Sequence, residues 1–202
     1  MMSRPALAKA LHLAALGDSL TAGFGLPAAD AFPVRLQAAL ASRGYTVTIA
    51  NFGVSGDTTA GGLARLGGVL AARPDGIILE LGANDMLRGL DPDQAKANLD
   101  AIMRQAADAG IPVLLCGMRA AKNFGSEYAA AFDAIYPELA KKYDAVLYPF
   151  FLDGVTGHVD RTLPDGLHPN AAGVDVVVER ILPVAETFLA RLGAAPAQAA
   201  AR

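Results

Sequence analysis

A few short stretches of this chain carry residue types that can transfer an acyl group. Gly17-Asp18-Ser19-Leu20 ends the apolar run LHLAAL and sets an acid and a hydroxyl on a glycine bend. Far downstream, Asp165 and His168 share the bend DGLHP, while Gly56 lies in NFGVSGDTT and Asn84 follows Gly82-Ala83. A serine hydroxyl is nearly inert until a base takes its proton, so a nucleophilic Ser19 requires a histidine. Of the three histidines, His12 sits inside the first apolar run and reads as structural, and His158 in VTGHVD reads as a solvated loop residue. His168 has an acid three residues before it. That spacing lets Asp165 reach the imidazole Nδ1–H, fix the tautomer and stabilise the imidazolium formed on attack, leaving Nε2 for Ser19. A developing oxyanion needs donors, and the backbone N–H groups of Ser19 and Gly56 with the Asn84 side-chain amide are the candidates. A triad needs one acid, so Asp18 and Asp57 are expected to hold the loops through hydrogen bonds.

Other readings of the same residues stay open at this point. A Gly-Asp-Ser bend is commonly just a turn, and a loop asparagine commonly caps its own turn. Asp18, Asn84, Asp165 and His168 could instead ligate a metal for phosphoester hydrolysis. That alternative leaves Ser19 without a task and lacks a second nearby histidine or a dense carboxylate cluster. A non-catalytic module that binds an acyl or carbohydrate ligand is the third possibility. The combination of groups in four loops favours the hydrolase.

The elements that must position these loops alternate between strand and helix. LHLAAL, YTVTIA, GIILEL, IPVLLCG and AVLYP read as strands. DAFPVRLQAALASRG reads as a helix with Asp30 as cap, Pro33 in the first turn and Gly44 as its stop. DTTAGGLARLGGVLAARP reads as a glycine-rich helix, a composition that costs about 1 kcal/mol per Gly against Ala and suggests close approach to a neighbour. DPDQAKANLDAIMRQAADAG has Asp91 as cap, Pro92 in its first turn and Ala95, Leu99, Ile102 and Ala106 on one face. SEYAAAFDAIYPELAKKY carries a core stripe of Tyr128, Phe132, Ile135 and Leu139, with Pro137 marking a kink, and a last helix runs from about Asn170 to Leu192. Alternation of this kind predicts a parallel five-stranded sheet covered by helices on both faces, an α/β/α sandwich. Ligands in such sheets bind outside the carboxyl ends of the strands, where all four loops fall.

The bulk properties fit. With 202 residues, 53 % of them hydrophobic, the chain is expected to form one domain over residues 1–202, with an ordered core over about 11–192 and a flexible tail over 193–202. A net charge of −3 gives no footprint for nucleic acid, and no apolar run approaches the length of a membrane span, so no stable membrane insertion is expected. Cys116, the single cysteine, lies in an apolar strand and reads as a small buried hydrophobe. The N-terminal segment runs directly into the first strand, so no secretory signal is read there and a cytoplasmic location is expected; a periplasmic one stays open if a signal preceded this chain.

GDSL at 17–20, Gly56, Asn84 in GAND and Asp165/His168 in DGLHP together resemble the four blocks of the GDSL (SGNH) hydrolase superfamily. GLARL, LELGANDMLRGL and FDAIYPELAKKYDAVLYPFFLDGV extend the likeness to its bacterial thioesterase I / protease I / lysophospholipase and arylesterase branch. The resemblance covers about Leu11 to Leu192. It implies a flavodoxin-like sheet, a Ser19–Asp165–His168 triad, a Ser19/Gly56/Asn84 oxyanion hole, and hydrolysis of small esters and acyl thioesters with no cofactor and no metal. Met86, Leu87, Leu90 and Phe124, in the loops after the third and fourth strands, are the candidate substrate wall. The chain has no G-x-S-x-G elbow, which argues against the α/β-hydrolase fold.

Overall fold

The computed structural model describes residues 9–197. Strands β1 (Leu11–Gly17), β2 (Val47–Gly53), β3 (Gly76–Glu80), β4 (Val113–Cys116) and β5 (Val146–Tyr148) form one parallel sheet in the order β2-β1-β3-β4-β5. β3, the central strand, is buried at every position, so it reads as an unbroken apolar run and not as an alternation. β2 is longer than its β-branched run, because Asn51–Gly53 stay in register with Ala15–Gly17 of β1.

Between the strands run α1 (Ser19–Ala22), α2 (Phe32–Ser42), α3 (Thr59–Ala71), α4 (Ala83–Leu87), α5 (Pro92–Asp108) and α6 (Ser126–Lys142), and α7 (Ala171–Arg191) follows β5. α2 packs with α7, α3 with α5, and α5 with α6, so helices cover both faces of the sheet. α5 matches its sequence signals: Asp91 accepts the Asp93 N–H, Pro92 opens the helix, and Ala95, Leu99, Ile102 and Ala106 are buried. α6 carries Phe132, Ile135 and Leu139 into the core and runs on through Pro137.

Three expectations are corrected. Asp30 does not cap α2; it ends a short 3-10 turn and pairs with Arg35 at 2.6 Å, and the cap position is Ala31, without a side-chain bond. Close approach explains the glycines of α3 only in part. A Cβ on Gly62 would lie 2.2 Å from Leu81, whereas Gly67 and Gly68 face open space. The tail is not loose from residue 193: Ala194 is buried and the Ala197 N–H donates to the Gly44 carbonyl at 2.8 Å, docking it on the turn after α2. Residues 198–202 of that expected tail, and the first eight residues that bear on export, lie outside the described residues. Among the described residues, no helix is long and apolar enough to cross a membrane.

Candidate active site

Strand order decides where the loops meet. β1 lies between β2 and β3, so the chain leaving β1 goes one way and the chain leaving β3 the other, opening a crevice at their carboxyl ends. Ser19 follows β1 and Asn84 follows β3, on opposite lips of that crevice.

Asp18 shapes the first lip. Its Oδ1 accepts the Leu20 N–H at 2.9 Å, capping α1, and Gly23 closes that helix with φ 82°, a left-handed conformation suited to glycine. Ser19 thus opens a helical turn and is only 7 % exposed. His168 Nε2 lies 2.9 Å from Ser19 Oγ, and His168 Nδ1 lies 2.7 Å from Asp165 Oδ2. Asp165 Oδ1 accepts the Leu167 and His168 N–H groups at 2.9 and 3.0 Å. These bonds hold its carboxyl down at about 2, the Leu167 N–H contributing most, so Asp165 is an anion in neutral solution. The exposed Phe24 ring packs against the imidazole, tilted by 37° with centroids 4.5 Å apart.

Gly56 has φ +84° in the loop after β2. Its carbonyl accepts Arg88 Nη2 at 2.7 Å. Neither the Ser19 nor the Gly56 N–H donates to an acceptor among the described residues. Asn84 Nδ2 donates to Asp57 O at 2.9 Å and to Asp18 Oδ2 at 3.1 Å, tying both lips together. Asp57 and Asp18 therefore hold the loops as their sequence positions suggested. Arg65 completes the frame: its Nε meets Asp57 at 2.5 Å, and Nη1 and Nη2 donate to Phe52 O and Gly17 O at 2.6 and 2.7 Å.

Ser19 and His168 border a cavity of about 510 Å³ walled by Met86, Leu87, Met118, Phe150, Leu152 and Leu167. Of the four candidate wall residues, Met86 and Leu87 line this cavity. Leu90 and Phe124 are not brought to it: the Leu90 carbonyl accepts the Tyr128 hydroxyl, and Phe124 stacks on Tyr128 on a separate flank. His12 pairs with Thr48 Oγ1 on the sheet, His158 is exposed, and Cys116 is buried. Sequence reasoning passed over Met118, Phe150, Phe24, Arg65 and Glu80. Only Glu80 left a sequence signal, an acid inside an otherwise apolar strand.

The donors required by the metal alternative are spent on one another. Asn84 turns its amide nitrogen to Asp18, and both Asp165 oxygens are engaged with the His168 bend. Among the described residues no group of three His, Cys, Asp or Glu side chains is assembled that could hold a metal ion.

Residues 15–176 match the model of the GDSL-like lipase/acylhydrolase family. The chain belongs to that family. The family assignment does not favour the metal and binding-module alternatives. Relatives agree: the chain is 39 % identical to "Esterase TesA" of Pseudomonas aeruginosa over 90 % of this chain and 91 % of that protein. It is 40 % identical to "Thioesterase 1/protease 1/lysophospholipase L1" of Escherichia coli K12, over 77 % of this chain and 74 % of that one. Among solved structures, the SGNH-hydrolase family esterase AlinE4 superposes with a TM-score of 0.76 at 44 % identity, covering 91 % of this chain and 99 % of that one. Like those members, the chain is a carboxylic ester hydrolase, with a five-stranded parallel sheet between helices.

Proposed function

We propose that Ser19, His168 and Asp165 form the catalytic triad of a serine esterase acting on small carboxylic esters, aryl or short-to-medium acyl, and on acyl thioesters. The observation that carries this reading is the hydrogen-bonded path from Ser19 Oγ through both ring nitrogens of His168 to Asp165. His168 takes the Ser19 proton as Oγ attacks the acyl carbon. The Asp165 anion steadies the imidazolium, and the free N–H groups of Ser19 and Gly56 receive the oxyanion. Asn84 is the third donor, its Nδ2–H shared between Asp18 and the new negative oxygen. His168 then protonates the departing alcohol or thiol, and water activated by the same imidazole releases the acid and restores Ser19.

The apolar cavity favours an acyl chain or aromatic ring, with Met86 and Leu87 on one wall and Met118 and Phe150 on another. Arg119, also among the lining residues, sets its guanidinium over the Phe150 ring, 5.3 Å from its centroid.

The test combines a fluorophosphonate probe, mass-spectrometric mapping of its adduct, and aryl-acetate turnover by wild type and Ser19→Ala. The expected result is an adduct on Ser19 and a fall in kcat of about 10⁴-fold or more in the variant. A variant as active as wild type would remove Ser19 from the chemistry.

A further inference from the structure

Directly behind the nucleophile lies a carboxyl group that the triad leaves without a task. Glu80 ends β3 and is fully buried, beside Gly17 of β1 on one side and Cys116 of β4 on the other. Gly17 makes the room: a Cβ there would fall 2.0 Å from Thr21 Oγ1 and 2.7 Å from Glu80 Oε2. Oε2 accepts the Thr21 hydroxyl at 2.7 Å and the Asp18 N–H at 3.3 Å, whereas Oε1 is buried with no donor among the described residues.

Asp18, also fully buried, donates its backbone N–H to Glu80 Oε2 at 3.3 Å, which sets the two acidic residues against each other. Its own oxygens receive the Leu20 N–H and the Asn84 amide. Among the described residues no lysine or arginine bonds to either carboxyl; Arg65 stops at the Gly17 carbonyl. Cys116 and Tyr136 face the pair from β4 and α6, both held protonated by burial. Asp85 on α4 is taken up by Thr59, and His168 acts on Asp18 only through its charge.

Two buried carboxyls without a cation share a proton, because ionising both would set like charges side by side in a medium that solvates neither. The proton belongs to Glu80. Asp18 has two N–H donors aimed at its carboxylate, while Glu80 has one hydroxyl, one long N–H bond and a bare oxygen. Titration tendencies agree: burial lifts Asp18 to about 6, and burial together with the Asp18 charge lifts Glu80 well above the usual range.

We propose that Glu80 is a positioning residue that works as a neutral acid, its carboxyl O–H donating to the Asp18 carboxylate so that Asp18 keeps hold of both the nucleophile turn and the Asn84 amide. The arrangement also leaves one negative charge, not two, behind the place where the oxyanion forms. This inference rests on the triad reading above.

The test begins with wild-type protein labelled with carbon-13 at glutamate carboxyls and titrated by NMR, together with fluorophosphonate labelling of the same sample. One glutamate is expected to stay protonated at pH 7 and to vanish from the spectrum of Glu80→Gln. Glu80→Gln, whose amide N–H replaces the donor, is expected to keep kcat within about threefold. Glu80→Ala is expected to lose about 10²-fold in kcat with KM within about threefold, the split that marks a loss confined to the transition state. A labelled Ser19 with every glutamate ionised at pH 7 overturns this inference alone, and so does a folded Glu80→Gln as weak as Glu80→Ala. A protonated glutamate with Ser19 unlabelled overturns the triad reading, and the positioning role with it. The wild-type titration needs no folded variant.

Discussion

Ser19 and His168 meet at 2.9 Å, but what holds each in place is different. On the Ser19 side Asp18 caps its own turn, but the other supports cross a long stretch of chain: Glu80 to Thr21, Asn84 to Asp18, Arg65 to Gly17. Asp18, Thr21 and Glu80 are entirely removed from solvent. On the His168 side the hydrogen-bonding supports are local, and the exposed Phe24 ring is the distant contact. Asp165, Leu167 and His168 satisfy one another within four residues, and the Asp165 side chain is 35 % exposed. The nucleophile is thus held by the tertiary structure and the base by its own loop. Buried polar groups must find partners wherever the fold supplies them, whereas an exposed bend can close its bonds locally. The nucleophile side should then couple activity to stability, and the base side should not.

Asp165→Asn gives the largest break in that comparison. Without the anion the imidazole loses its fixed tautomer and the support for its charge, so kcat should drop by roughly 10³–10⁴-fold. Stability should move by less than about 1 kcal/mol, since an exposed pair contributes little. Aryl-acetate kinetics beside urea denaturation separate the two, and a strongly destabilised variant would show that the bend is not self-contained.

Arg65→Met probes the other side. It deletes three hydrogen bonds that join the ends of β1 and β2 to the Gly56 loop. The expected cost is about 2–4 kcal/mol in urea unfolding, since the Gly17 and Phe52 carbonyls and Asp57 lose a charged donor, with roughly a tenfold loss in kcat. Wild-type stability with reduced kcat would contradict the coupling.

The smallest effect is in pH dependence. Burial raises Asp18 from 3.8 to about 6, so the folded protein holds that proton more tightly than the unfolded chain does. Its contribution favours folding below about 4 and is lost as pH rises through about 6. Asp165, lowered to about 2, acts oppositely: its contribution is present above about 4 and is lost as pH falls towards 2. Urea midpoints of wild type should therefore decline between about pH 4 and 6, with Glu80, held well above its usual range, adding a decline of the same sign, and Asp18→Asn should reduce the slope. An unchanged slope in the variant would mean that Asp18 does not titrate in this window.

What could be read without coordinates follows the same division. Hydrophobic periodicity and capping residues set the strand–helix alternation, because they act within a turn or two of chain; α5 matched its cap, its proline and its buried face. The Asp165–His168 pair was legible for the same reason, being a contact three residues long. Asp30 misled as a cap because Arg35 competes for its carboxylate, a choice that sequence signals do not rank.

The cavity wall was less legible. The apolar residues after β3 and β4 were visible, but only packing assigns Met86 and Leu87 to the cavity while turning Leu90 and Phe124 towards Tyr128. Met118 and Phe150 join the wall because β4 and β5 are neighbours in the sheet.

The sequence by itself determined the parallel sheet between helices, the serine, acid and histidine available for acyl transfer, and the edge at which they would gather. Tertiary structure alone decided that β1 and β3 lie side by side, and so placed the acid of one beneath the nucleophile carried by the other. Local pattern encodes which way a side chain faces, but the partner it meets is set by strand order and register, which join residues about sixty positions apart.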